Sequence, residues 1–368
     1  MDESPKGVGV VTDPALDREK VRGGAIGRKE LRGATVTGAD LYDIRGLEVF
    51  FPVRQTFFRS MVSTEKRWVR AVDSISFTIG AGEILALVGE SGCGKTTTGR
   101  TLLGLEKQTG GQIFYKGLEV GKFTPGAIRD YRRNCQIIFQ DPYNAINPKH
   151  TIFDIVAEPL LVNHLTSNER EKEERVVRAL EEAGLRPARD YLYRYPHELS
   201  GGQRQRVCIA GAIVLEPDMI VADEPVASLD VSIRNDILKL MVQHKKELGV
   251  TYLFITHDLS LAWVISDRIA VMYLGKIVEI GETEEVVANP QHPYTKALIS
   301  VIPVPDPTAK REHTILTGET PNPAAIPTGC RFHPRCPEVM DICSQQEPDD
   351  VQIRGSHYAA CLRLNGHS

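Results

Sequence analysis

The segment ILALVGESGCGKTTTGR, residues 84–100, restricts what this chain can fold into more than any other stretch. Five apolar residues read as a buried strand, Gly89–Thr96 fit G-x-x-x-x-G-K-[ST], and a helix is expected from Lys95. Gly89, Gly92 and Gly94 let backbone amides curl around an anion where side chains would clash. Ser91, Cys93 and Thr97 stand in the same loop and first turn, whose helix dipole favours phosphate. Lys95 supplies a point charge for the terminal phosphates, and Thr96 a hydroxyl for Mg²⁺. Cys93 lies inside this loop, so a bulky thiol reagent is expected to block nucleotide.

Around this loop the patterning is that of an α/β protein. The runs LEVFFPV, SISFTI and ILALVG are β-rich and separated by turn residues. MIVAD (219–223) and YLFIT (252–256) are nearly continuous apolar strands ending at a polar residue. That is the pattern of parallel strands covered on both faces, with chemistry at their carboxyl ends. Residues 168–185 carry Val176, Leu180 and Leu185 among charges, which predicts an amphipathic helix with a solvated face. At the end of MIVADEP, Asp223 is placed to hold the Mg²⁺ shell, and Glu224 to polarise an attacking water.

Bulk properties narrow the class. At 368 residues and 42% hydrophobic content the chain can build one large domain and a smaller one. Its apolar runs fall far short of the roughly 20 residues that cross a bilayer. The N-terminal MDESPKGVGVVTDP has no apolar core behind a basic segment, so no secretory signal is read there and a cytoplasmic location is expected. A net charge of −4 gives no basic field for nucleic acid. Residues 1–44 suit a flexible or partner-ordered extension, and 45–290 hold the motifs. From 291 to 368, prolines and then four cysteines suggest a linker and a small, separately stapled appendage.

A second glycine-rich segment, LSGGQRQR (199–206), follows the first at a distance of about a hundred residues. With Gln140 in IIFQDP, SLD at 228–230 and His257 in ITHD, it makes residues 45–290 resemble the ABC ATPases. The resemblance implies a P-loop NTPase core with an antiparallel β subdomain and a helical subdomain. It also implies ATP held with Mg²⁺ between two cassettes paired head to tail. Ser200, Gly201, Gly202 and Gln203 would then open a second anion-binding helix for the γ-phosphate of the opposite chain's ATP. Carried over by match, Gln140 contacts Mg²⁺ or water, His257 steadies the γ-phosphate and attacking water, and Asp230 supports the opposite cassette. Phe51 is the expected platform for adenine, with Phe50 close behind.

FQDPYNAINP, DEPVASLDVS, HPYTKAL and GCRFHPRCP narrow the resemblance to the ATP-binding subunits of dipeptide and oligopeptide importers. Such a subunit sits at the cytoplasmic face of the membrane under two permease subunits fed by a substrate-binding protein. It commonly pairs with an unlike second ATPase, a heterodimer. Cys330, Cys336, Cys343 and Cys361 are spaced C-x5-C-x6-C-x17-C, which fits zinc knuckles poorly. The resemblance suggests a 4Fe-4S cluster; zinc or unmetallated packing cysteines are the alternatives. Cys135 and Cys208 read as small buried residues.

Two other function classes compete. An ABC-type ATPase acting on nucleic acid or ribosomes would carry a coiled-coil insertion or a second cassette, and the spacing between the motifs leaves no room for the former. A non-hydrolysing regulatory cassette would not need the intact Glu224.

Overall fold

A computed structural model of the chain describes residues 26–33, 40–53, 68–302, 314, 316 and 318–365. Its strands are β1 (Asp40–Pro52), β2 (Trp68–Gly80), β3 (Ile84–Val88), β4 (Gly110–Tyr115), β5 (Leu118–Glu119) and β6 (Cys135–Ile138). They continue with β7 (Met219–Asp223), β8 (Thr251–Thr256), β9 (Arg268–Tyr273), β10 (Lys276–Glu282), β11 (Val351–Arg354) and β12 (His357–Ala359).

The larger sheet has the order β11-β12-β10-β9-β3-β8-β7-β6. Its segment from β9 to β6 is parallel, and β10, β12 and β11 add to it antiparallel. All five residues of β3 are buried, and the pleat sends them alternately to opposite faces. Ile84, Ala86 and Val88 join a core shared with the helices Ile152–Val162, Glu169–Glu182 and Gly201–Ile213. Leu85 and Leu87 join a second core shared with β1 and β2. Those two strands belong to a separate antiparallel sheet, ordered β2-β1-β4-β5. The central sheet is thus sandwiched between a helical layer and an antiparallel β layer, with the expected strands β7 and β8 and the expected helix Lys95–Leu102 in place.

The helix expected over 168–185 runs Glu169–Glu182 from an Asn168 cap and buries Val176, Ala179 and Leu180. The next helix, Ile152–Val162 in space, starts with a capping box in which Thr151 and Asp154 satisfy each other's backbone N–H.

Two expectations are corrected. β1 begins at Asp40, ahead of the boundary expected at 45, and Leu41, Tyr42 and Ile44 are buried. A short helix, Arg28–Gly33, also belongs to the fold, with Leu31 packed into the second core. The polar residues interleaved through 26–44 hid this; residues 1–25 and 34–39 lie outside the described residues. Nor is the C-terminal region separately stapled. β12 pairs with β10, so the tail extends the main sheet, and the buried ring of Phe332 packs against Tyr273, Tyr294 and His292 with centroids 5.2–5.5 Å apart. Burying that ring contributes about 1.5–3 kcal/mol to a core shared with the cassette.

Candidate functional site

The carboxyl ends of β3, β7 and β8 converge on one cavity of about 590 Å³, a volume that suits a nucleotide. Ser91, Gly92, Gly94, Lys95, Thr96, Thr97, Gln140, Glu224 and His257 line it, so most of the residues singled out above meet here. Gly94 needs to be glycine: its φ is 111°, and a Cβ would overlap the Ala71 carbonyl oxygen. Gly89 lies as close to the Met272 carbonyl. Both let the loop lie flat on β2 and β9.

Lys95 is buried, and its Nζ donates to the carbonyl oxygens of Gly89 (2.7 Å) and Glu90 (3.0 Å), which fold the ammonium back over the loop. Thr96 Oγ1 donates to Asp223 Oδ1 at 3.0 Å, joining the two side chains that a Mg²⁺ ion would share. Burial raises the Asp223 carboxyl above its ordinary value, the Thr96 bond opposes this, and the neighbouring Glu224 charge adds to it. A bound cation would reverse that direction.

Glu224 stands just past β7 with φ 47°, an uncommon value for a non-glycine residue, and its N–H donates to Ile255 O at 2.9 Å. That turn frees the carboxylate to sit between Gln140 Nε2 (3.2 Å) and His257 Nδ1 (3.1 Å). A carboxylate flanked by an amide and an imidazole, facing a phosphate cradle, is equipped to orient and deprotonate water.

Other expected residues stand elsewhere. The Cys93 thiol is buried beneath the loop beside Lys95, and burial raises its pKa. The expected attack by a bulky reagent is corrected accordingly: the thiol is both shielded and disfavoured as thiolate. Cys135 is buried as expected and bonded to Tyr42, whereas Cys208 is half-buried. Phe51 pairs with Val69, which lines the cavity, while Phe50 pairs with Arg70 and lies against its guanidinium at 5.6 Å. Phe50 and Arg70 line a larger cavity of about 790 Å³ that contains none of the phosphate-loop, signature or strand-end residues singled out for ATP. Neither ring lines the 590 Å³ cavity; Phe51 is the one whose cross-strand partner, Val69, does.

Ser200, Gly201, Gly202, Gln203 and Asp230 do not line the 590 Å³ cavity. Ser200 caps the helix Gly201–Ile213 in a capping box with Gln203. Its oxygen accepts from Gln203 N–H, and its own proton remains free to donate. Asp230 is exposed and makes no side-chain cap bond to the helix Val231–Leu248 that it precedes.

Cys330 N–H donates to Cys343 O at 2.8 Å, and the nearby thiols of Cys343 and Cys361 add to the upward pKa shift that burial gives Cys330. Cys330 and Cys336 are each pushed up to about 11. Yet among the described residues no three His, Cys, Asp or Glu side chains are gathered closely enough to hold a metal. The cysteines are neighbours without forming a metal site as they stand.

Three residues to which the sequence assigned no nucleotide role also line the cavity: Val69 and Ala71 of β2, and Leu298 from the helix Pro293–Ser300. Tyr294 of the same helix accepts the Glu90 N–H at 3.0 Å. Only HPYTKAL marked that helix, and nothing in its spacing connected it to the phosphate loop.

Residues 72–227 match the family described as "ABC transporter", and residues 278–343 the one described as "Oligopeptide/dipeptide transporter, C-terminal region". The oligopeptide transport ATP-binding protein AppF of Bacillus subtilis is 45% identical over 324 residues, 87% of this chain and 96% of that one. The dipeptide transport ATP-binding protein DppF of Haemophilus influenzae is 44% identical over 323 residues, 87% and 95% of the two chains. Among solved structures, cbiO1 of Clostridium perfringens, described as part of the ABC transporter complex cbiONQ, superimposes with a TM-score of 0.58 at 28% identity. It covers 68% of this chain and 92% of its own. With the phosphate loop, the acidic strand end and the capped signature helix in one fold, these similarities show that the chain belongs to the family of ATP-binding subunits of oligopeptide and dipeptide ABC transporters.

Proposed function

We propose that this chain is the ATP-hydrolysing subunit of a peptide importer, working as one half of a head-to-tail pair of cassettes. The observation that carries it is the division of the machinery. Lys95, Thr96, Gln140, Glu224 and His257 share one cavity, while Ser200, at the start of the signature helix, and Asp230, which makes no side-chain cap bond, do not line it. Pairing two cassettes would bring one chain's helix N-terminus, at Ser200–Gln203, to the γ-phosphate on the other's loop, where its N–H groups stabilise negative charge. In this reading Phe51 stacks the adenine, Thr96 and Asp223 would hold Mg²⁺, and Glu224 takes the proton of the attacking water. The ion itself would neutralise charge developing on the phosphates.

Two permease subunits are the natural neighbours. Phe139 and Tyr143, close to Gln140 in sequence, and Leu161, Val162 and Tyr193 farther along the same segment are exposed large apolar residues. No helix among the described residues is long and apolar enough to cross a membrane, which suits a subunit attached through such a surface. An unlike second ATPase and an extracytoplasmic binding protein complete the proposed assembly. The test is uptake of labelled peptides by cells deprived of this chain. Restoration by the native chain but not by Glu224→Gln is expected, and equal restoration by both would contradict a motor role.

A 4Fe-4S cluster on Cys330, Cys336, Cys343 and Cys361 is the finer reading of the tail, resting on the four-cysteine resemblance and on the approach of two of these residues, where Cys330 N–H donates to Cys343 O. The thiols would have to draw together to ligate it. Anaerobically purified protein is expected to absorb near about 400 nm and to contain about four irons per chain. Zinc, or no metal, would overturn the assignment.

A further inference from the structure

We propose that Arg335 is a positioning residue for nucleotide binding: from the C-terminal region it clamps and neutralises Glu90, the second residue of the phosphate loop. The inference rests on the reading of Gly89–Thr96 as the ATP cradle.

Glu90 lines the nucleotide cavity. An unpaired carboxylate there would repel a polyphosphate within a few ångströms. The guanidinium of Arg335 meets it as a two-pronged pair, Nη1 to Oε2 at 2.8 Å and Nη2 to Oε1 at 3.1 Å. Such a pair fixes orientation as well as charge. Thr320 Oγ1 also donates to Oε2. The backbone of Glu90 is held too: its N–H donates to Tyr294 Oη, and its carbonyl oxygen accepts from Lys95 Nζ. Burial alone would raise the Glu90 carboxyl, but the bonds from Arg335 and Thr320, with the Arg335 and Lys95 charges, hold it below its ordinary value.

Arg335 is itself well anchored. Only 8% of its side chain is exposed, and its guanidinium lies 5.9 Å from the Tyr273 ring centre. It ends a short turn, His333–Arg335, between Cys330 and Cys336, and Arg331 at the start of that segment is bound to Asp73 and to the Leu274 carbonyl. The tail thus grips the cassette at two arginines, and one of them reaches the residue whose carbonyl oxygen holds the phosphate-loop lysine. The extra C-terminal region is thereby part of the nucleotide site.

The test is MgATP titration of the purified full-length chain by calorimetry, with thermal unfolding measured alongside. Arg335→Gln, which leaves Glu90 unpaired, is expected to weaken MgATP binding roughly tenfold. Arg335→Lys keeps the charge without the fork and should lose less. Adding Glu90→Gln to Arg335→Gln should restore most of the lost affinity, because the repelling carboxylate is gone. A purely structural role would lower the unfolding temperature and leave no such rescue. Native-like affinity in Arg335→Gln, or a double variant that binds no better than Arg335→Gln, overturns the proposal. Failure of the native chain to bind MgATP would instead sink the reading of the cradle on which it rests.

Discussion

Glu224→Gln is expected to lower steady-state ATP hydrolysis roughly 100- to 10,000-fold, the range a lost general base costs, while MgATP stays bound. The amide is isosteric and can still sit between Gln140 and His257, 3.2 and 3.1 Å away in the native site. The unusual backbone at this position, φ 47°, makes no demand on the side-chain charge. What disappears is the basic oxygen that accepts the water's proton. The ATP-bound state then accumulates, so size-exclusion chromatography in MgATP should show a stable pair. Hydrolysis at the native rate would contradict the role given to Glu224.

Lys95→Ala should fail earlier, at binding. A charge-assisted hydrogen bond contributes about 1.5–3 kcal/mol, which corresponds to a roughly 10- to 100-fold weaker dissociation constant for MgATP. The substitution also strips the Gly89 and Glu90 carbonyl oxygens of their donor. Glu90 lines the same cavity, so the loss removes positive charge from beside the place where phosphate must lie. Calorimetry separates the two variants: Glu224→Gln titrates with MgATP, and Lys95→Ala scarcely does. If both bind alike, the cradle is elsewhere.

The parts of the site that lie close together in sequence were legible in it. A buried strand, a glycine loop and the helix that follows it form a local unit whose geometry follows from residue type, so β3, the loop and Lys95–Leu102 came out as expected. Asp223 and Glu224 were legible for a related reason, since a continuous apolar run stopping at two acids marks a strand end. What required the structure were contacts between distant segments. Arg335 and Glu90 lie 245 residues apart, and no pattern relates them. β11 and β12 are short and mixed in polarity, so they read as loop although they complete the main sheet. The pairing of Phe51 with Val69 and of Phe50 with Arg70 across β1 and β2 likewise needed the structure, because alternation within one strand does not fix its register with the next. The cysteine spacing described neighbours in the chain, whereas metal binding depends on side-chain convergence that the described residues do not make.

The pairing of half-sites is tested most directly by mixing two inactive chains. Lys95→Ala destroys the cradle and leaves the signature helix intact; Ser200→Arg blocks the signature helix and leaves the cradle. Each alone should hydrolyse almost no ATP. The two are mixed in equal amounts without the unlike second ATPase, so that this chain pairs with itself. Half of the pairs then hold one variant of each kind and each such pair has one complete site, so about a quarter of the activity of the native chain paired with itself should return. Hydrolysis that stays at the sum of the two parents, or a Ser200→Arg chain that is active alone, would contradict an ATP site shared between two chains.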